Sequence, residues 1–514
     1  MTEVEVDEVQ GNVLYAYGDD FPHARYVLLR VNHAAAAKAN LRAWLDQITF
    51  GLRPWDRRAT VGGDPHTDRI SEVPPQARDR PHVNVAFTFL GLQALGVSDD
   101  VLYAFPDEFR QGAYARAGAN GDVAGSAPGN WRDELGRGHL LLVVYARTDA
   151  ERDRLVERLT REAQGCMTPL HDLPASRLHS SRRSEQRDDS AWRNRPQGCD
   201  SRLHREHFGF ADGCSQPAIE GVNRDPTGNG VYARTPPRWW RPFRPLELAL
   251  EDMGLKPIKR RWRAIRAGEF LLGYENEEGA LPVGPPDPLG PNGTFMVYRP
   301  ISQDVETFSH HIESEAERLG FEPDLLRAKV VGRWRDGTPL ALSPERPDEL
   351  IADNRRRAND FLYQESRNGF PADPDGYGCP LGAHIRRSNP RDSLPGGGER
   401  TMAHRIIRRG MPYGRRETGE DCGLAFVCFS SSIANGFEFI QRTWCNTGSE
   451  IGLGSERDPI LQQGEPGELT GMVIPSHHDR TVVMKPPEKP FVTVRGCEYL
   501  FVPSRRGFEW LTNG

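Results

Sequence analysis

The sequence predicts an α+β fold in two similar halves, each an antiparallel sheet covered on one face by helices. Three observations lead there. β-rich and helix-forming runs alternate through the first part of the chain, the same vocabulary returns loosely in the second, and 514 residues are too many for one ordinary core. Residues 25–32 (RYVLLRVN) are β-rich, and 34–48 is helix-forming, with Leu41, Trp44 and Leu45 at helical spacing. HVNVAFTF at 82–89 alternates with period two, GLQALG follows as a short helix, and HLLLVVYA at 139–146 is continuous enough for a central strand. Residues 149–164 make a charged amphipathic helix, and 172–206, rich in Ser, Arg and Asp, reads as a long surface connection. In the second half GEFLLGY (268–274) and GTFMVYRP (293–300) read as strands, and 301–319 as a helix capped by Ser302. GLAFVCFSSS (423–432) is a buried strand, 433–444 is helical, and YLFVPS near the end is the last strand. The expected division is residues 1–206 and 207–514, with insertions near 228–266 and 325–375.

Composition excludes several classes. The longest apolar stretches, such as LLLVVYA from Leu140, are of strand length, which argues against a membrane span. A net charge of −6 gives no general nucleic-acid footprint. The Arg/Trp-rich stretch 238–266, with Trp239, Trp240 and Trp262, is read as an inserted loop whose tryptophans pack. The acidic start MTEVEVDEVQ lacks an apolar signal segment, so the expected location is cytoplasmic, with the eight cysteines reduced.

Three motifs carry chemistry. CPLGAHIRRSNPRD (379–392) sets His384 in a Pro- and Gly-bounded segment with arginines at 386, 387 and 391. Imidazole is a standard axial ligand of haem iron, and arginines suit carboxylates such as haem propionates. HFGFADGCSQP (207–217) places Asp212 on a turn after a short apolar strand. RIIRRGMPYG (405–414) places Arg408 where a strand through Ile406 and Ile407 turns one guanidinium inward.

In that order GFxDG, HxRRxNPR and RRGxPYG resemble the dye-decolorizing (DyP-type) haem peroxidase family, and VQGNVL, FTFLGLQALG and FVCFSSSIANGFEFIQRTW extend the resemblance. The resemblance implies two ferredoxin-like domains with one haem b per chain, bound in the carboxy-terminal one. It places His384 at the iron ligand, Asp212 and Arg408 at the peroxide, Arg391 at a propionate, and Leu424 and Phe426 on the distal wall. A carboxylate holds the ligand histidine in such sites, and Asp458 in GSERDPILQ is the candidate.

The activity this implies is oxidation of dyes, phenolics and other bulky organic donors by hydrogen peroxide. Asp212 would move a proton between the peroxide oxygens, and Arg408 would stabilise the charge that develops on the leaving one. An aspartate side chain has an ordinary pKa of about 3.9 against about 6.5 for histidine, so an aspartate base predicts an acidic optimum. Donors too large for the cavity would react through a surface Trp or Tyr, with Trp444, Tyr413 and the Trp239–Trp240 pair as candidates. The rival reading keeps the haem and makes the protein a haem-handling one (storage, transfer or iron release), with incidental peroxidase activity. Pairing of exposed sheet edges would make a homo-oligomer.

Overall fold

A computed structural model of the protein describes residues 4–51, 80–178, 205–223, 229–234, 260–354, 356–395, 397–416, 419, 421–475 and 481–513. The first half supplies β1 (His23–Val31), α1 (Ala34–Trp44), β2 (His82–Phe87), β3 (Leu140–Ala146), α2 (Asp149–Glu162) and β4 (Met167–Ser176). Their strands lie in the order β2-β3-β1-β4, all antiparallel. The second half supplies β5 (Thr294–Gln303), α3 (Val305–Leu319), α4 (Pro323–Val331), α5 (His384–Ser388), β6 (Ile407–Arg408), β7 (Met411–Tyr413), β8 (Gly423–Ser430), β9 (Val492–Val494), β10 (Glu498–Val502) and α6 (Arg505–Asn513). Here β10-β5-β8 run side by side, β6 and β7 share the outer edge of β8, and β9 extends the β10 edge of β5.

The two sheets close on each other into one barrel. Phe501 of β10 pairs with Phe87 of β2 at one seam, and Ala175 of β4 with Tyr413 of β7 at the other. Strand alternation then sorts the core. Tyr26 and Leu28 of β1 and Leu141, Val143 and Tyr145 of β3 fill the interior with Tyr298 and Leu500. The alternate residues Val27, Leu29, Leu140, Leu142 and Val144 face outward and are covered by Leu41 and Trp44 of α1, Leu159 of α2 and Phe508 of α6. Both faces of β3 are thus buried, which is why its sequence reads as one apolar run.

The structure corrects four expectations. GEFLLGY is a tight turn rather than a strand: Gly268 lies so close to the backbone of Glu275 that a Cβ would sit 2.3 Å from its carbonyl carbon, and Gly273 has φ +88°. Its buried Phe270 and Leu271 gave the segment a strand's composition. The helix after β5 is capped by Asp304, which accepts from the Thr307 N–H at 2.9 Å, while Ser302 belongs to β5. The segment 172–206 is still strand to Ser176, and 179–204 lies outside the described residues. The stretch read as an insertion at 325–375 begins inside the core, for Leu326, Ala328 and Val330 of α4 are fully buried against Phe308 and Cys379. Of the stretch 228–266, residues 231–234 pair with 260–263, and Trp239 and Trp240 lie outside the described residues. Trp262 is packed as expected, donating to Asp360 at 2.6 Å. Among the described residues no helix is long and apolar enough to cross a membrane.

Among the ion pairs that tie the halves, one is fully buried. Arg299 of β5 donates both terminal nitrogens to Asp122, and the two side chains are 4% and 1% exposed. Burial opposes the Arg299 charge, but Asp122 outweighs it and holds the guanidinium above its ordinary range. Removing one partner strands a buried charge. Asp122→Ala therefore costs about 3–5 kcal/mol in a denaturant titration, and a loss within error of zero would mean that water or a neighbour replaces the carboxylate.

Candidate active site

His384 stands at the head of α5, and two buried arginines fix that segment. Arg386 donates to the carbonyls of Asp373, Cys379 and Pro374. Arg387 donates to those of Gly382, Trp444 and Thr447 and to the Glu456 carboxylate. Neither lines the cavity, so these two clamp backbone instead of meeting a ligand carboxylate. The clamp joins α5 to the strand of chain that carries Asp458. Gly382 is needed at the contact, since a Cβ there would lie 2.1 Å from Glu456 Oε1.

Asp458 is fully buried. Its Oδ2 lies 2.8 Å from His384 Nδ1, and its Oδ1 accepts the N–H groups of Ile460 and Leu461, both at 2.9 Å. Burial alone would raise this carboxyl, but His384, Arg387 and the backbone donors outweigh it and hold it below the usual range. An ionised Asp458 places the histidine proton on Nδ1, leaving Nε2 as the nitrogen with a lone pair.

Another part of the cavity wall is built on tight turns. Gly209 (φ +94°) and Gly213 (φ +72°) bracket Asp212, whose Oδ1 accepts the Gly213 N–H at 2.6 Å. The Ala211 N–H is held by the Arg335 carbonyl at 2.9 Å. Arg408, on β6 beside Cys428 of β8, is tied to the same turn: its backbone N–H donates to Gln216 Oε1 at 2.9 Å and its guanidinium to the Ser215 carbonyl at 3.0 Å. Leu424 and Phe426 alternate on β8 with Ala425 and Val427, which point into the barrel, and so face outward over the same space.

His384, Asp212, Arg408, Arg391, Leu424 and Phe426 all line one cavity of about 300 Å³, and Asp458 stands directly behind His384. A second, smaller cavity of about 40 Å³ shares Asp212 and Arg408 as its wall. The sequence reading missed Arg405 and Glu206, which also line the main cavity. Arg405 was visible three residues before Arg408, on the same motif, and nothing but the fold shows that it turns inward.

The cavity's charge is unbalanced. Among the described residues none of Arg391, Arg405 and Arg408 forms an ion pair. Arg391 instead donates to the carbonyls of Asn359 and Phe361, both at 2.9 Å, with its guanidinium 3.8 Å above the Phe361 ring. Burial pushes Arg391 down to about 10; burial, then Arg391 and Arg408, push Arg405 down to about 9. Glu206 accepts the N–H groups of Phe208 and Phe210 and the Gln303 amide, and burial pushes it up. Buried cations short of acidic partners call for an anion, and apolar walls of Phe208, Phe210, Ile301 and Ile460 call for a flat apolar body. With a carboxylate-backed imidazole on one wall, these residues fit haem: nitrogen for the iron, guanidinium groups for the propionates.

Two of the electron-transfer candidates are not at the surface. Trp444 is 1% exposed and Tyr413 is 5% exposed, both packed into the core.

Fold and site together define a haem-binding oxidoreductase on an α+β barrel. Residues 8–177 match the family model described as the DyP dimeric alpha+beta barrel domain, and 328–452 match that of the Dyp-type peroxidase, C-terminal. The chain belongs to the DyP-type peroxidase family. It is 28% identical over 453 residues to dye-decolorizing peroxidase msp1 of Mycetinis scorodonius, covering 82% of this chain and 74% of that one. It is 26% identical over 533 residues to dye-decolorizing peroxidase AauDyP1 of Auricularia auricula-judae, covering 98% and 86%. The crystal structure of a fungal DyP-type peroxidase from Auricularia auricula-judae superposes over 100% of both chains with a TM-score of 0.72 at 24% identity, a likeness of fold. The match at 328–452 takes in most of the stretch 325–375.

Proposed function

We propose that the protein is a haem-dependent peroxidase that oxidises dyes and phenolics with hydrogen peroxide, using Asp212 and Arg408 on the peroxide and His384 on the iron. The observation that carries this reading is the meeting of all three side chains in one cavity, although they lie far apart in sequence. Haem handling needs the histidine and arginines for the propionates, but it has no use for an aspartate and an arginine tied to the aspartate's turn in the same cavity.

When bound, haem supplies the redox chemistry with peroxide, and the protein supplies position and protons. His384 presents Nε2, with Nδ1–H given to Asp458, which increases the donation of the ring. Asp212 accepts a proton from one peroxide oxygen and returns it to the other, so that the latter leaves as water. Arg408, fixed by Ser215, stabilises the negative charge that develops there. Arg391 and Arg405 hold the propionates by charge-assisted hydrogen bonds. Leu424 and Phe426 keep the space small and apolar, so that peroxide enters and larger donors react elsewhere. The two halves are read as ferredoxin-like, with haem against the second; the order β4-β1-β3-β2 in the first half, and β10-β5-β8 with β6 and β7 beyond it in the second, supports the ferredoxin-like part of this reading.

The test is turnover of a dye and of 2,6-dimethoxyphenol, a compound bound in a related dye-decolorizing peroxidase structure, as a function of pH. A carboxylate base stays ionised in mild acid where an imidazole base would be protonated, so the optimum falls on the acid side of neutrality. A maximum above pH 7 with haem content intact would remove Asp212 from the role of base.

A further inference from the structure

The barrel interior holds a row of phenols that the peroxide chemistry above does not use. Tyr145 of β3 lines the small cavity behind Asp212 and Arg408. Its ring lies 6.5 Å from that of Tyr26 on β1, and Tyr26 stacks on Tyr298 of β5 at 5.2 Å. The Tyr298 hydroxyl is 3.0 Å from Nε2 of His171 on β4, whose Nδ1 is 2.9 Å from Asp133. The three tyrosines and His171 are buried, whereas the Asp133 side chain is 54% exposed. The row therefore crosses the barrel from the acid–base wall to solvent.

Packing alone does not call for it. Phenylalanine would fill each place without burying a hydroxyl, and each buried hydroxyl carries a desolvation cost. The Tyr26 hydroxyl is buried beside Tyr145 with no well-formed hydrogen bond. The far end is arranged for a proton. A carboxylate on Nδ1 puts the histidine proton there, so Nε2 accepts the Tyr298 O–H. Burial, outweighing the pull of Asp133, keeps His171 below its ordinary value and hence neutral near pH 7.

We propose that Tyr145, Tyr26 and Tyr298 form a hopping path that carries one oxidising equivalent from the peroxide site to the His171–Asp133 end of the barrel. The inference rests on the peroxidase reading, which supplies the oxidant. In the step, the Tyr298 O–H bond breaks. Its electron passes through Tyr26 and Tyr145 to the peroxide-oxidised site, which is reduced by one electron. Its proton moves to His171 Nε2, and Asp133 balances the imidazolium charge. An organic donor at the exposed end then returns one electron to the tyrosyl, and His171 returns the proton.

Haem-loaded protein mixed with one equivalent of hydrogen peroxide, without donor, and frozen within seconds tests this by electron paramagnetic resonance. Wild type, Tyr298→Phe, Tyr26→Phe and His171→Gln are compared, with ordinary and ring-deuterated tyrosine. The wild type is expected to give a radical signal that narrows with deuterated tyrosine. Each substitution removes most of that signal, while haem content and the rate of the optical response to peroxide stay as in wild type. If Tyr298→Phe does not fold, Tyr26→Phe carries the comparison. A wild-type signal absent or indifferent to deuteration overturns the path, as does a signal unchanged in the folded variants. An optical spectrum that ignores peroxide overturns the peroxidase reading as well, which separates the two failures.

Discussion

Asp212→Asn slows the reaction with peroxide by about 10²–10⁴-fold, the usual contribution of a positioned acid–base group, with haem content unchanged. The substitution suits the question because the amide oxygen can still accept the Gly213 N–H that shapes the turn, so the loss is one of proton transfer and not of geometry. Stopped-flow mixing at one equivalent of peroxide reads it directly, before donor oxidation complicates the rate. Arg408→Leu slows the same step by a different route, through lost stabilisation of the leaving oxygen, by about 10²–10³-fold. The two act on one event, so the double variant falls well short of the product of the single losses. A loss below about tenfold in Asp212→Asn would transfer the role of base to Glu206, the other carboxyl of the cavity, because general-base effects are rarely so small.

Much of the architecture was legible because local signals agreed with burial. The period-two run at 82–89 and the unbroken apolar run at 139–146 are β2 and β3, one with the polar His82 at its start and the other buried on both faces. What was not legible is closure. Phe87 with Phe501, and Ala175 with Tyr413, meet across hundreds of residues, and no local pattern announces either seam. Composition also failed where an apolar run served a turn, as at 268–274, and where polar residues served the core, as at Arg333, which is buried and donates to the carbonyls of Gly337 and Ala358.

The site shows the same division. His384, Asp212 and Arg408 could be found because each sits in a short motif punctuated by Gly or Pro, the residues that tight turns need. The arginines could not be sorted from sequence. Arg386, Arg387 and Arg391 follow one another closely, yet the first two clamp carbonyls and only the third reaches the cavity. Helical geometry decides this: α5 ends at Ser388, and Arg391 takes φ +53°, a left-handed conformation that turns it away from its neighbours. The same logic hid Arg405, whose inward direction depends on the turn before β6 and not on its motif.

His384→Ala abolishes retention of haem through purification. On the proposed reading the iron loses its protein ligand, and the remaining hold would come from apolar walls and from guanidinium groups placed for the propionates, neither of which would fix the iron. Absorbance in the haem band relative to protein measures it, and added imidazole, small enough for the space the side chain leaves, restores part of the band. Asp458→Asn separates ligation from support. Asparagine keeps an oxygen for the Ile460 and Leu461 N–H groups, so the loop holds, but its neutral amide no longer fixes the His384 proton on Nδ1 or raises the donation of the ring. Haem affinity or peroxide reactivity then falls by about 10–100-fold, the range seen when such a supporting partner is lost. Equal haem content in wild type and His384→Ala would place the iron ligand elsewhere. Equal behaviour of wild type and Asp458→Asn would mean that the 2.8 Å contact orients the ring without tuning it.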